Sequence, residues 1–151
     1  MEKYFTQEGF EKLKRELSYL KIVKRREIGE RLARCISYGD LTENAEYHET
    51  KEAQGFLEGR ILELENLIEN AVIAPLEKKK GLAQIGSNIL VKTGREKERF
   101  KIVGAEEASP LDGKISIDSP LGRALLNQSK GVIVEVPTPE GKLQYKILKI
   151  D

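Results

Sequence analysis

Three acidic side chains lie close together in residues 37–47, which read SYGDLTENAEY: Asp40, Glu43 and Glu46. Carboxylate oxygens suit a hard divalent cation such as Mg²⁺, which keeps several waters when one or two carboxylates bind it. Two carboxylates alone would hold Mg²⁺ weakly. A stable Mg²⁺ site here would therefore need further ligands from a partner molecule. We expect Glu46 to be a solvated helix residue, and Asn44 and Tyr47 to support the geometry of the tip.

The same residues also have a purely structural interpretation. Asp40 followed by Glu43 has the spacing of a capping box at the start of a helix. Gly39 can end the preceding helix, because glycine adopts a positive φ without strain. A cap needs one good side chain, however, and this segment offers three carboxylates. The residues alone leave both interpretations open.

Other kinds of chemistry have few candidates in this chain. The single cysteine, Cys35, excludes an internal disulfide and indicates a reducing, cytoplasmic environment, and one cysteine with one histidine is too few for a structural zinc site. We expect Cys35 to be a small buried apolar group and His48, flanked by acids, to be a surface residue. No apolar run approaches the ~20 residues that cross a bilayer. The formal net charge of +1 argues against an avid, autonomous nucleic-acid binder.

Two long helices are predicted to carry this acidic segment. Before it, an apolar stripe at helical spacing is displaced once and then resumes, through Phe10, Leu13, Leu17, Leu20, Ile28, Leu32 and either Cys35 or Ile36. After it, the stripe runs through Leu57, Ile61, Leu64, Ile68 and Ala71. These are the a and d positions of two packed helices, with Thr6 as the first N-cap. The short connection predicts an antiparallel hairpin, a rod of about 45 Å whose tip carries the acids.

Charge is divided between the two arms. Residues 21–34 carry six basic side chains and two acidic ones, whereas residues 40–69 carry nine acidic and two basic ones. Antiparallel packing therefore predicts ion pairs between the arms, and each exposed pair contributes about 0.2–1 kcal/mol. The alternative for Arg31 and Arg34, near the tip, is contact with a phosphate backbone, which a guanidinium group can bind through two hydrogen bonds.

The second half changes to strand-like alternation. Strands are predicted at residues 85–91, 100–103, 114–117, 132–136 and 143–150, and a short helix is predicted to begin at Pro120 with Ser119 as its cap. All five prolines lie at or beyond Pro75. We therefore predict an α+β chain with an antiparallel helical hairpin at 1–75, a linker at 76–81, and an antiparallel sheet with one short helix at 82–151.

Several stretches together resemble the Gre family of bacterial transcript cleavage factors. They are GDLTENAEY at the tip, KEAQGFLEGRILELE after it, GKISIDSPLGRALL downstream, and the ending KGVIVEVPTPEGKLQYKILKI. The resemblance covers essentially the whole chain in the family's order. One departure is Asn127-Gln128-Ser129, where the family pattern leads us to expect a Gly-Lys pair. This departure bears on a C-terminal surface turn.

The resemblance implies a fold, a partner and a mechanism. The C-terminal domain is expected to be FKBP-like and to dock at the rim of the secondary channel of bacterial RNA polymerase, through the neighbourhood of Ser119 and Pro120. The hairpin is expected to enter that channel, where Asp40 and Glu43 help hold the second Mg²⁺ of the polymerase. The implied activity is stimulation of endonucleolytic cleavage of backtracked nascent RNA near its 3′ end. Such a protein is an accessory factor, monomeric when free, and Arg31 and Arg34 are its candidates for RNA contact.

Two other functions remain as alternatives. A secondary-channel inhibitor on the same scaffold would bind without promoting cleavage, and we would expect its tip acids to be altered. A coiled-coil adaptor or chaperone would bind peptides through its C-terminal domain, and it has no need of an exposed acidic tip. The presence of Asp40 and Glu43 argues against both alternatives.

Overall fold

The computed structural model describes residues 2–40, 42–75 and 79–151. Its helices and strands, in chain order, are β1 (Lys3–Phe5), α1 (Gln7–Tyr19), a π-helical segment (Leu20–Lys24), α2 (Arg25–Ser37), α3 (Ala45–Glu69), β2 (Ala71–Ile73), β3 (Asn88–Thr93), β4 (Glu96–Val103), β5 (Lys114–Ser116), α4 (Pro120–Leu125), β6 (Ile133–Thr138) and β7 (Gly141–Ile150). None of the helices within these described ranges is long and apolar enough to cross a membrane.

The chain divides into two compact units, Glu11–Asn70 and Met1–Phe10 with Ala71–Asp151. Strands β1 and β2, which precede and follow the helical segment in the chain, pair in parallel within the second unit. The boundaries predicted from the sequence, 1–75 and 82–151, stay a prediction. The predicted linker at 76–81 includes residues 76–78, which lie outside the described residues.

The first unit confirms the predicted helical hairpin. Helices α1 and α2 form one continuous helix through the π-helical segment, whose flanking residues Tyr19 and Arg25 are both helical. A π turn closes its hydrogen bonds over one more residue than an α turn. The extra residue displaces the apolar face, which is why the stripe shifts after Leu20.

Helix α3 packs against α2 along the predicted seam. Leu57, Ile61 and Leu64 are buried on α3, as their spacing predicts. Where the sequence left Cys35 and Ile36 open, the structure buries Cys35 completely and leaves Ile36 52% exposed. The prediction that Cys35 is a buried apolar group is therefore confirmed.

Ion pairs join the two arms, as the division of charge predicted. Arg25 of α2 donates two hydrogen bonds to Glu58 of α3, at 2.8 and 2.7 Å. These hydrogen bonds are the main reason that the pKa of Glu58 is lowered and the pKa of Arg25 is raised from their ordinary values. Further interhelical pairs are Lys21–Glu65 and Arg60–Glu16. The arms are thus held in one axial register by charges outside the apolar seam.

The second unit contains a five-stranded sheet in the order β5-β4-β3-β7-β6. The sequence predicted an antiparallel sheet, but β5 runs parallel to β4, so the sheet is mixed. The reason is the connection at residues 104–113, which contains two 3₁₀ turns and brings the chain back beside Lys101, so that β5 runs along the last three residues of β4 in the same direction. A short hairpin loop would have reversed the direction instead. Helix α4 and alternate residues of β3, β4, β6 and β7 enclose the core of this unit, around Ile89, Ile102, Leu125 and Ile147.

The turn after α4 accommodates the departure from the family pattern. Asn127 adopts a positive φ of 63°, a conformation that asparagine tolerates better than most residues other than glycine. Its backbone N–H donates to the Ala83 carbonyl oxygen at 2.7 Å. Asparagine therefore serves at a position where glycine was expected.

Candidate functional site

The candidate site lies in the loop between α2 and α3. Helix α2 ends at Ser37, and Gly39 follows with φ +89°, a left-handed conformation that suits glycine. Helix α3 begins at Ala45. Asp40 and Glu43 both lie in this loop rather than on the helix, so the capping-box interpretation is wrong.

Asn44 is the residue that caps α3. Its side-chain Oδ1 accepts a hydrogen bond from the Tyr47 N–H at 3.0 Å, and its Nδ2 donates to the Cys35 carbonyl oxygen at 2.9 Å. The amide thus serves the start of α3 and the end of α2 together. An ionised aspartate at this position could accept from the Tyr47 N–H but could not donate to the Cys35 carbonyl oxygen.

Asp40 is exposed and is oriented by its own loop. Its Oδ1 accepts a hydrogen bond from the Thr42 backbone N–H at 3.1 Å, the contact of an Asx turn. Its Oδ2 has no hydrogen-bond or ion-pair partner among the described residues. One carboxylate oxygen is therefore held in place while the other faces outward, open to a ligand.

Glu43 is also exposed. Within residues 2–40, 42–75 and 79–151, no group pairs with its carboxylate. Both carboxylate oxygens of Glu43 are therefore accessible to a ligand. Placed three residues apart in one short loop, Asp40 and Glu43 supply oxygen acceptors and two negative charges at the free end of the hairpin.

His48 and Tyr47 brace the loop from α3. The His48 Nε2 lies 3.2 Å from the Thr42 carbonyl oxygen, and its ring meets the ring of Tyr47 edge to face, with centroids 5.4 Å apart. Thr42 is thus bound through its carbonyl to His48 and through its N–H to Asp40. His48 is exposed, as expected, but it contributes to loop geometry.

The donor set fits a divalent cation only in part. Carboxylate oxygens are the hard ligands that Mg²⁺ prefers. The described residues contain no group of three or more His, Cys, Asp or Glu side chains that could hold a metal ion. The described tip thus offers two carboxylates without a complete ligand set, and the sharing of a Mg²⁺ ion with a partner stays a prediction.

The two candidate RNA contacts differ in their surroundings. Arg31 Nη2 lies 3.9 Å from Glu49 Oε2, at the outer limit of an ion pair. Arg34 is exposed, and its guanidinium group has no partner in the described part of the chain. Ion pairing between the arms thus occupies the guanidinium group of Arg25, involves that of Arg31 only weakly, and does not involve that of Arg34.

The candidate polymerase contacts lie in the other unit, at the start of α4. Ser119 Oγ accepts the Gly122 N–H at 3.1 Å and donates to the Ser116 carbonyl oxygen at 2.6 Å, and Pro120 is the first helical residue. The predicted cap is confirmed. Pro120 is exposed, while Ser119 is partly buried, and their proposed docking role stays a prediction.

The capping role of Asn44 and the contact of His48 with Thr42 were not predicted from the sequence. Asparagine is among the preferred N-cap residues, and that preference is the local signal that could have suggested a cap at Asn44. The contact of His48 with Thr42 had no local signal, since it depends on how the loop folds back over the first turn of α3.

Comparisons with known proteins support one family along the whole chain. A family model described as transcription elongation factor, N-terminal, matches residues 3–73, and one described as transcription elongation factor, GreA/GreB, C-term, matches residues 78–151. Transcription elongation factor GreA of Clostridioides difficile (strain 630) is 48% identical over 148 residues, covering 96% of this chain and 93% of that protein. GreA of Clostridium novyi (strain NT) is 47% identical over 148 residues, with the same coverage of 96% and 93%. Among solved structures, GreA factor homolog 1 (Gfh1) of Thermus thermophilus is 28% identical, with a TM-score of 0.46, over 100% of this chain and 99% of that chain.

Proposed function

The chain belongs to the GreA/GreB family of transcription elongation factors, and on that premise we propose that Asp40 and Glu43 act inside bacterial RNA polymerase. In this proposal the hairpin enters the secondary channel of a backtracked polymerase. The two carboxylates then stimulate Mg²⁺-dependent endonucleolytic cleavage of the nascent RNA, and the cleaved RNA has a new 3′ end from which synthesis resumes. The protein is an accessory factor, and the bonds are broken at the active centre of the polymerase.

The observation that carries this proposal is the state of the tip carboxylates. Both are exposed, neither is in an ion pair within the described residues, and Asp40 is held through one oxygen by Thr42. A cap or a solubilising residue does not need this arrangement. An acidic group delivered to an ion in another protein does need it, because the carboxylate must arrive unpaired and already oriented.

The remaining ligands of the ion must come from the polymerase, because the described residues hold no complete metal site. Asp40 and Glu43 would hold the ion jointly with those ligands. When bound there, Mg²⁺ supplies charge stabilisation to the attacking and leaving oxygens of a phosphoryl displacement. The chain itself contributes two negative charges, a fixed orientation at Asp40 and an acceptor that can orient a water molecule.

The other predicted contacts complete the proposal. Arg34, exposed and without a partner in the described ranges, is the stronger candidate for the RNA backbone, and Arg31 is the weaker one because Glu49 competes for it. Ser119 and Pro120 are proposed to dock at the channel rim. The free protein is proposed to be a monomer.

The decisive experiment measures RNA cleavage in stalled elongation complexes assembled with purified polymerase. The variants Asp40→Asn and Glu43→Gln remove charge but keep size, and asparagine keeps an oxygen for the Thr42 N–H. We expect each to slow stimulated cleavage by about 10-fold or more, the scale on which removing support from a metal ligand acts. Glu52→Gln, an exposed change on α3, is the control and should leave the rate unchanged.

A competition assay for polymerase binding separates the possible outcomes. Tip variants that bind like the wild type but do not stimulate cleavage support the proposal. Wild-type rates in Asp40→Asn and Glu43→Gln would contradict the assigned roles. A wild-type protein that binds without stimulating cleavage would instead support the secondary-channel inhibitor.

A further inference from the structure

The five-stranded sheet has one face that lies opposite to the core of this unit and is mostly exposed, except at the end of β4, where Val103 is buried. Strand pairing places alternate residues on this outer face, opposite to Ile89, Val91, Ile102, Val134 and Ile147. The outer face carries eight basic side chains, which are Lys92, Lys97, Arg99, Lys101, Lys114, Lys142, Lys146 and Lys149. The strands contribute one acidic residue to it, Glu135.

Three of these lysines face one another directly. Lys97 of β4 pairs in register with Lys92 of β3, which pairs in register with Lys146 of β7. Neighbouring strands lie about 4.8 Å apart, and like charges directly opposite each other destabilise a sheet. All three side chains are exposed and have no ion-pair partner among the described residues. The row therefore contributes no favourable free energy to folding, and an anion bound to it would reduce the repulsion among its three positive charges.

A second cluster lies beside this row. Arg99, Lys101 and Lys149 line a depression of about 340 Å³ on the same face. Two of these cations already have acidic neighbours, since Lys101 pairs with Glu8 at 3.2 Å and Lys149 with Asp151 at 3.6 Å. Arg99 is in no ion pair within the described ranges, but Asp112 lines the same depression. The least compensated charge thus lies at the row.

The composition of the face favours one class of partner. Protein interfaces concentrate aromatic residues, methionine and arginine at their cores and are depleted in lysine, whereas this face is mostly lysine. Single-stranded nucleic acids are usually held by bases stacked on aromatic rings, and no aromatic residue occupies an outer-face position of these strands. The domain's Phe100 and Tyr145 lie on the core side. Lysines spread over several strands, with no stacking platform, suit contact with phosphates alone.

We propose that the outer face of this sheet binds the phosphate backbone of double-stranded DNA without reading its sequence. Duplex DNA presents one negative charge per about 1.7 Å of its axis, on two strands, and so matches cations spread in two dimensions. Lysine–phosphate contacts position a protein on DNA but carry no sequence information. Because the whole chain is nearly neutral, binding is weak and depends strongly on salt. This surface is independent of Asp40 and Glu43.

The test uses the full chain without polymerase and a fluorescently labelled duplex of mixed sequence, with binding followed by anisotropy at increasing salt. The triple variant K92Q/K97Q/K146Q removes the row. Its plot of log affinity against log salt should be shallower than the wild-type plot by about 2.7, since each lost phosphate contact accounts for about 0.9. The matched control, K12Q/K51Q/K130Q, makes the same change in net charge at exposed positions away from the strands and should keep the wild-type slope.

Three further measurements complete the test. The melting temperature of K92Q/K97Q/K146Q should equal or exceed that of the wild type, because the change removes mutual repulsion. Equal losses of affinity in the two triple variants, or no duplex binding at low salt, would overturn the proposal. Tighter binding to a single strand of the same length would assign the face to single-stranded nucleic acid, and equal binding to polyglutamate would assign it to acidic proteins; either result also overturns it.

Discussion

The hydrogen bonds of Asn44 give the sharpest prediction about the tip. Replacing Asn44 by alanine removes the acceptor of the Tyr47 N–H and the donor to the Cys35 carbonyl oxygen together. Loss of an N-cap costs about 1 kcal/mol, and a neutral hydrogen bond contributes about 0.5–1.5 kcal/mol. We therefore expect Asn44→Ala to lower the free energy of unfolding of the hairpin by about 2 kcal/mol.

Asn44→Asp separates the two hydrogen bonds. Aspartate keeps the cap and gains about 0.3–1 kcal/mol from its charge at the start of a helix. It cannot donate to the Cys35 carbonyl oxygen, however, and brings a carboxylate oxygen close to it. Asn44→Asp should therefore be less stable than the wild type, although aspartate is as good an N-cap as asparagine in an isolated helix.

Urea denaturation followed by circular dichroism at the helical minimum measures both effects. Glu52→Ala, an exposed change in the interior of α3, is the control and should lie within about 0.5 kcal/mol of the wild type. A loss below about 0.5 kcal/mol for Asn44→Ala, or an Asn44→Asp variant as stable as the wild type, would refute the dual role of the amide. Because Asn44 joins the ends of α2 and α3 on either side of the tip loop, folded Asn44→Asp should stimulate RNA cleavage less than the wild type.

Two further predictions concern pH and backbone packing. Arg25 lowers the pKa of Glu58, so the stability from this pair is fully present above the ordinary glutamate pKa and is lost as the pH falls through the lowered folded-state value. The melting temperature of Glu58→Gln, measured from pH 6 to 3, should therefore fall less steeply than that of the wild type. Parallel curves for the two proteins would contradict this prediction. A Cβ at the buried Gly122 would overlap the Ser116 carbonyl oxygen, whereas a Cβ at Gly59 would meet no atom within contact distance. Thermal melting should therefore show that Gly122→Ala lowers the free energy of unfolding by about 3 kcal/mol and that Gly59→Ala raises it by about 0.5–1 kcal/mol. Equal effects of the two substitutions would disprove the packing argument.

Local patterns were sufficient for much of the fold. The spacing of Leu57, Ile61 and Leu64 predicted the seam of α3, because a residue's face on a helix depends only on its position along the chain. Thr6 and Ser119 were recognisable as N-caps for the same reason, since a cap bonds to an N–H two or three residues later. The division of charge between the arms likewise predicted pairs such as Arg25–Glu58.

Interactions between distant residues had no comparable signal. Glu107 accepts hydrogen bonds from the backbone N–H and the hydroxyl group of Thr6, 101 residues earlier, and so supports the start of α1. The parallel direction of β5 was missed because it depends on the path of residues 104–113 rather than on the alternation within the strand. Sequence spacing does not specify either contact.

The candidate site shows the same division. The position of Asp40 and Glu43 in a short acidic connection between two packed helices was predictable from the residues alone, because composition and periodicity are local properties. That the Asn44 amide also binds the end of α2 could be seen only in the folded structure, because this contact requires the Cys35 carbonyl oxygen of the opposite helix to lie within reach of a side-chain donor. The tertiary structure also decided that Lys92, Lys97 and Lys146 form one row, since strand register is set by pairing between segments and by the apolar face that each strand must bury.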